Sequence, residues 1–182
     1  MPTIITHSVL SIFWGKFYSR INSWKFWALS IICSVIPDAD VLAFKFGIPY
    51  GNMFGHRGFS HSLLFAFILA LLVVYIAFRN IERYSKLWWS LVFYFFSLTA
   101  THSILDALTN GGLGVGFFIP FDSTRYFFAY TPIKVASLGY SRFFSASGMQ
   151  VLLSEILWIW IPLGIILIVV NLIRKRKSVG VA

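Results

Sequence analysis

The sequence is poor in charge of either sign and poorest in acid: 12% of its 182 residues are charged and only six are Asp or Glu. Such a chain lacks the polar surface that keeps a soluble domain of this size in water. It has one cysteine, Cys33, set in an apolar run, so no internal disulfide forms and that thiol reads as a small buried hydrophobe. No basic region precedes the first apolar stretch and no small-residue cleavage pattern follows it, so no removable signal peptide is expected. The HExxH helix of zincin proteases, the PSGH of phosphatases with a histidine nucleophile and the GxSxG elbow of serine hydrolases are all missing.

What the chain has in excess is hydrocarbon. Hydrophobic residues make up 58% of it and its mean hydropathy is +0.80, which makes a bilayer its natural solvent. Residues 62–79, 87–105 and 152–173 approach or reach the roughly 20 residues a helix needs to cross about 30 Å of hydrocarbon. Two shorter apolar stretches, 4–15 and 26–36, cover half to two thirds of that thickness and are expected as a hairpin packed on the longer helices. The predicted fold is all-α, a polytopic membrane bundle of three spanning helices and two short N-terminal ones, forming a single domain over 1–182. The many Phe, Trp and Tyr residues are read as lipid-facing and interfacial packing.

The formal charge of +9 is read as topogenic, so no nucleic acid partner is expected. Lys16, Arg20, Lys25, Arg79, Arg83, Lys86, Arg174, Lys175, Arg176 and Lys177 fall on one side of the expected spans. Lys45, Arg57, Arg125, Lys134 and Arg142 fall on the other. Ten against five puts the first set, and the C-terminus, in the cytoplasm. All four histidines and all four aspartates then lie on or near the extracytoplasmic face, although orientation was argued from Lys and Arg alone. Ionisable groups near membrane depth are costly and usually face a protein interior or a wet cavity.

His102 and Asp106 stand four apart, so an imidazole and a carboxylate share one helix face in chelating geometry. Pro37 breaks an apolar helix and is followed by Asp38 and Asp40 on a short turn, where two close carboxylates repel unless a cation intervenes. His56 and His61 are five apart, too many for one helix face, which puts at least one in a glycine-containing loop, with Ser60 as a candidate cap for the next helix. Arg57 between them suits a phosphate oxygen or a lipid headgroup. His7 gains weight only from this company. Asp122 reads as a turn residue, with a substrate contact as the alternative, and Glu155 as a supporting or ligating carboxylate.

The ordered set of His7, PDAD, HRGFSHS and HSILD resembles the LexA-regulated, membrane-bound metal-dependent hydrolase family of the YdjM type, over most of the chain. That family is distantly similar to zinc-dependent phospholipase C and the S1/P1 nucleases, helical enzymes that cleave phosphate esters with clustered zinc. The resemblance implies His7, Asp38, His61, His102 and Asp106 as metal ligands, with His56 and Asp40 as additional ligands or supporting partners. The soluble enzymes carry a further histidine segment with an HxxxE pair, whereas here no histidine follows His102. One or two ions are therefore expected rather than three, zinc being favoured by the imidazole content. The expected function is hydrolysis of a phosphoester in a lipid or lipid-linked substrate at the inner membrane, with Asp38 or Asp40 accepting a proton and Arg57 clamping the phosphate. The alternative is a non-enzymatic metal-binding transporter or scaffold.

Overall fold

The computed structural model describes residues 1–18, 20–136 and 145–179, the last three by backbone alone. Arg142 and the Lys177 side chain, both used above to argue orientation, lie outside what is described. The regular elements among the described residues are helices, and two isolated β-bridges, Thr109 to Ile133 and Val115 to Tyr126, tie the non-helical stretch 108–136.

The chain begins with α1 (Ile4–Tyr18) and α2 (Trp24–Val35), a hairpin that packs closely. Ser23 starts α2 by accepting a hydrogen bond from the Phe26 amide, which satisfies an otherwise orphan donor. Gly15 is where the two helices meet most closely: a Cβ there would lie 2.3 Å from a carbon of the Trp27 ring. Pro37 lacks the amide that would extend the α ladder. The chain does not turn away there, as expected from sequence, but tightens into an 11-residue 3₁₀ helix, Ile36–Phe46, ended by Gly47 at φ 74°. Asp38 and Asp40 therefore sit on a helix that continues α2.

A loop and a short 3₁₀ turn, Phe59–His61, lead into α3 (Leu63–Ala77), which runs beside α4 (Lys86–Ala107). The cap of α3 is Ser62, whose hydroxyl accepts from the Phe65 amide, and not Ser60. The Ser60 hydroxyl is spent on Asp40. Helix α4 is the centre of the bundle. Its Trp88, Leu91, Val92, Tyr94, Phe95 and Leu98 form the main core with Phe26 and Cys33 of α2 and Ala70 and Val74 of α3. The last helix runs as α5 (Ala146–Glu155), a π-helical turn (Ile156–Trp160) and α6 (Ile161–Val179).

Among the described residues, two continuous helices are long and apolar enough to cross a bilayer: Trp24–Phe46, with mean hydropathy 1.6, and Ala146–Arg176, with mean hydropathy 2.7. Only 6% of the most apolar window of the second is buried in protein, against 33% for the first. Helix α3, expected to span, has 15 residues, which at about 1.5 Å each falls short of the hydrocarbon thickness.

The architecture brings alternate chain ends together. The start of α1, the end of α2, the approach to α3 and the end of α4 all meet at one end of the bundle, and these are the segments that carry the histidines and aspartates.

Candidate metal centre

Five side chains converge there: His7, Asp38, His61, His102 and Asp106. All are buried, and four are at most 1% exposed. His61 Nε2 lies 3.1 Å from His102 Nε2 and 3.2 Å from Asp106 Oδ2. Asp38 Oδ1 stands 3.7 Å from His61 Nε2 and 3.5 Å from His102 Nε2. Ligand atoms of Asp38, His61, His102 and Asp106 all lie within 4.8 Å of one another. Donors bound at about 2.0–2.2 Å around a tetrahedral ion are roughly 3.3–3.6 Å apart, so the spacing suits a single small cation.

The hydrogen bonding shows what the cluster needs. His102 donates from Nδ1 to the Ser34 carbonyl at 2.8 Å, and His61 turns its Nδ1 to Asp40 Oδ2 at 3.1 Å. With the Nδ1 protons committed, two Nε2 lone pairs face each other. Around them, Asp106 Oδ2 is met by the Arg57 guanidinium at 3.0 Å, while Asp106 Oδ1, both oxygens of Asp38 and both ring nitrogens of His7 have no hydrogen-bond partner. Buried carboxylates are rarely left so bare. A proton is one answer. Burial works against a charged His61, but the adjacent Asp106, Asp38 and Asp40 carboxylates outweigh it and hold this imidazolium well above the usual histidine range. A divalent cation is the other answer, and the donor set of imidazole and carboxylate fits zinc.

His7 addresses different oxygens. Its Nε2 is 3.9 Å from Asp38 Oδ2 and 3.8 Å from Asp106 Oδ1, the two not turned to the His61–His102 pair. Its ring stacks on His102 with centroids 3.8 Å apart and planes 24° apart. Lone pairs on nearly parallel rings do not converge on one point, so each carboxylate presents one oxygen to the His61–His102 pair and the other to His7.

Asp40 is a hub beside the cluster. Its Oδ1 accepts from His56 Nδ1 at 2.6 Å, and its Oδ2 accepts from the Arg57 amide at 3.0 Å and from the Ser60 hydroxyl at 2.6 Å, in addition to facing His61. This is the carboxylate that fixes the tautomer and direction of a ligating imidazole. His56, expected among the ligands, stands behind Asp40 with its Nδ1 taken up there, and joins no ligand group among the described residues.

Arg57 also departs from expectation. Its guanidinium is 1% exposed and turned inward: Nε is 3.0 Å from Asp106 Oδ2, Nη1 donates to the Gly111 carbonyl and Nη2 to the Thr109 hydroxyl. A group so placed braces Asp106 rather than reaching for a phosphate. Its backbone lies at φ 61°, a region that costs a non-glycine residue about 1–3 kcal/mol. It is held there because Asp40 accepts its amide and its carbonyl accepts from the Gly116 amide.

Of the remaining candidates, Asp122 is a turn residue. It accepts from the Thr124 amide and the Tyr126 hydroxyl, which hold its carboxyl below the usual range. Arg125 donates to the His56, Tyr50 and Asn52 carbonyls and so staples the loop that carries Arg57. Sequence reasoning passed over Ser34 and Thr109. Ser34 acts through a main-chain carbonyl, which no residue type advertises, and Thr109 is one threonine among several.

A helical membrane protein with a dry, carboxylate-bridged histidine cluster at one end of its bundle is the class that fold and site define together. The chain belongs to the YdjM inner membrane protein family, whose sequence profile matches residues 1–178. It is similar to inner membrane protein YbcI of Escherichia coli (strain K12), 42% identical over 177 residues that cover 97% of this chain and 100% of that one. No solved structure matches it.

Proposed function

We propose that the protein is a multi-pass, metal-dependent hydrolase of the inner membrane that cleaves a phosphoester in a lipid or lipid-linked substrate. The observation that carries this reading is the convergence of the buried Asp38 and Asp106 carboxylates on His7, His61 and His102. Asp38, Asp106, His61 and His102 would hold the first ion. His7, which faces the same two carboxylates, would help to hold a second.

Zinc bound there supplies a water acidified towards neutrality and a polarised phosphoryl oxygen. The protein's own groups supply the rest. Asp38 or Asp40 would take up the proton. Asp40 orients His61, and Arg57 keeps Asp106 ionised and in place. On the topogenic reading of Lys and Arg this end of the bundle is extracytoplasmic, and the substrate would arrive sideways from the bilayer.

A transporter would distribute ionisable groups along its helices at mid-membrane depth. Here they gather at helix ends, which favours an enzyme over a transport path. The test is elemental analysis of detergent-purified protein against a His102→Ala, Asp106→Ala double variant at equal folded yield. Stoichiometric zinc in the wild type, absent from the variant, followed by release of phosphate or headgroup from a panel of phospholipids and lipid phosphates, is the expected result. Absence of metal in both proteins after reconstitution with zinc or manganese would overturn the reading.

A further inference from the structure

The three imidazoles of the cluster are not held alike. His61 and His102 are anchored through Nδ1, on Asp40 and on the Ser34 carbonyl, whereas neither nitrogen of His7 has a hydrogen-bond partner. The place of His7 is therefore set by helix α1, and the question becomes what holds α1.

Helix α2 packs along α1, and the last helix grips it at both ends. The Glu155 carboxylate is fully buried. It accepts from the Thr3 amide and, at 2.6 Å each, from the hydroxyls of Thr3 and Thr6. The Thr6 hydroxyl in turn accepts from Trp160 Nε1 at 2.9 Å, so Glu155 and Trp160 close on the residue immediately before His7. At the far end, the Arg174 guanidinium donates to the Lys16 and Phe17 carbonyls in the last turn of α1. Between these two grips Ile159 and Leu163 pack towards Leu10 and Trp14, and much of the rest of the helix is exposed.

The grip at Glu155 depends on a local irregularity. On an α-helix, at about 100° per residue, side chains five apart point roughly 140° away from each other. From Ile156 to Trp160 the turn is π-helical, closed by the Ile161 amide on the Ile156 carbonyl. This wider turn carries about 4.4 residues and brings positions five apart to within roughly 50°. Pro162 contributes, because it offers no amide to the Trp158 carbonyl and its ring crowds that carbonyl out of the α ladder. The π turn thus swings Trp160 round to the side of Glu155. A helix that merely spanned would need neither a buried carboxylate nor a bulge.

We propose that Glu155, Thr6 and Trp160 form a clasp that positions His7: the last helix sets the height and rotation of α1 so that His7 Nε2 meets Asp38 and Asp106. Its consequence for metal binding rests on the hydrolase reading above, while the clasp itself is measurable without metal.

The first measurement is maleimide labelling of His7→Cys in a Cys33→Ser background. The cysteine is expected to be almost unreactive with the clasp intact and to label at least ten times faster when Glu155→Ala or Thr6→Val is added, with Thr6→Ser restoring protection because it keeps the hydroxyl. Native Cys33, buried between α2 and α4, serves as the folding control: it must stay unreactive in Glu155→Ala protein that lacks the introduced cysteine. The second measurement is zinc affinity of the otherwise wild-type protein carrying Glu155→Ala, Thr6→Val or Thr6→Ser. A loss of 10- to 100-fold in the first two and near-normal affinity in the third are expected. Unchanged labelling at position 7 in Glu155→Ala and Thr6→Val overturns the clasp. Wild-type protein that binds no zinc while the labelling pattern holds overturns the hydrolase reading and leaves the clasp standing.

Discussion

Asp40 offers the sharpest prediction, because two different substitutions separate its charge from its geometry. In Asp40→Asn the amide oxygen can take the Oδ2 position and keep the Arg57 amide, the Ser60 hydroxyl and His61 Nδ1 as donors. The new NH₂ then faces His56, which accommodates it by changing tautomer. The scaffold survives, but the partner of His61 is now neutral and the imidazole a poorer ligand. In Asp40→Ala all four contacts go, His61 Nδ1 loses its orienting acceptor, and one of the two backbone hydrogen bonds that hold Arg57 at φ 61° disappears. Supporting carboxylates of this kind are worth 10- to 100-fold in metal affinity, about 1.4–2.7 kcal/mol. Asn is expected near the lower figure and Ala at or beyond the upper one, with a further 1–3 kcal/mol lost from folding as buried donors go unsatisfied. Competition with a zinc chelator in detergent gives the affinity, and thermal unfolding in excess chelator gives the metal-free stability. An Asp40→Ala protein that binds zinc as tightly as wild type would refute the argument.

Removing the Arg57 side chain by Arg57→Ala leaves Asp106 as a buried charge without its guanidinium, a loss of about 3–5 kcal/mol, and the unfolding temperature should fall accordingly; an unchanged temperature would show that the ion pair does not hold the site. Gly58→Ala places a Cβ 2.2 Å from the Met53 carbonyl oxygen, a backbone atom that cannot swing away, so the variant should express poorly or unfold early, and a wild-type melting profile would contradict the described loop. Zinc affinity should rise with pH by up to about tenfold per unit around neutrality, because His61 is held protonated by its three carboxylate neighbours and must release that proton to bind. The metal-free protein should show the opposite trend. A pKa raised on folding stabilises the fold below the ordinary histidine value, and that contribution is lost as pH climbs through the raised one. Titration at fixed ionic strength, with and without chelator, checks both signs.

The parts of the site legible in the sequence were those carried by side-chain type and spacing. His102 and Asp106 share a face because four residues make about one turn. The ends of alternate helices meet because short connections force neighbouring helices antiparallel. The illegible parts run through the backbone or through local irregularity. Pro37 ends α geometry, but nothing in its neighbours said that the chain would tighten into 3₁₀ form instead of leaving the helix. Ser60 and Ser62 are equally good caps on paper, and only the place of Asp40 decides between them. Arg57 read as a ligand for an outside anion because no sequence pattern shows that Asp106, Thr109 and Gly111 converge on it. The span lengths also shifted, since α3 ends at Ala77 and α2 gains the 3₁₀ extension.

The ion pair between Arg57 and Asp106 sets the charge balance of the whole pocket. Asp38, Asp40 and Asp106 bring three negative charges and Arg57 returns one positive, so with neutral imidazoles the pocket is short by two. One divalent ion restores neutrality and leaves nothing to attract an anion. A second ion tips the pocket to a surplus of two positive charges in a dry setting, where isolated charge is most costly. A hydroxide and a phosphodiester would supply the two missing negative charges between them, so the doubly loaded site would select anionic substrates by electroneutrality, without an arginine reaching out to hold them.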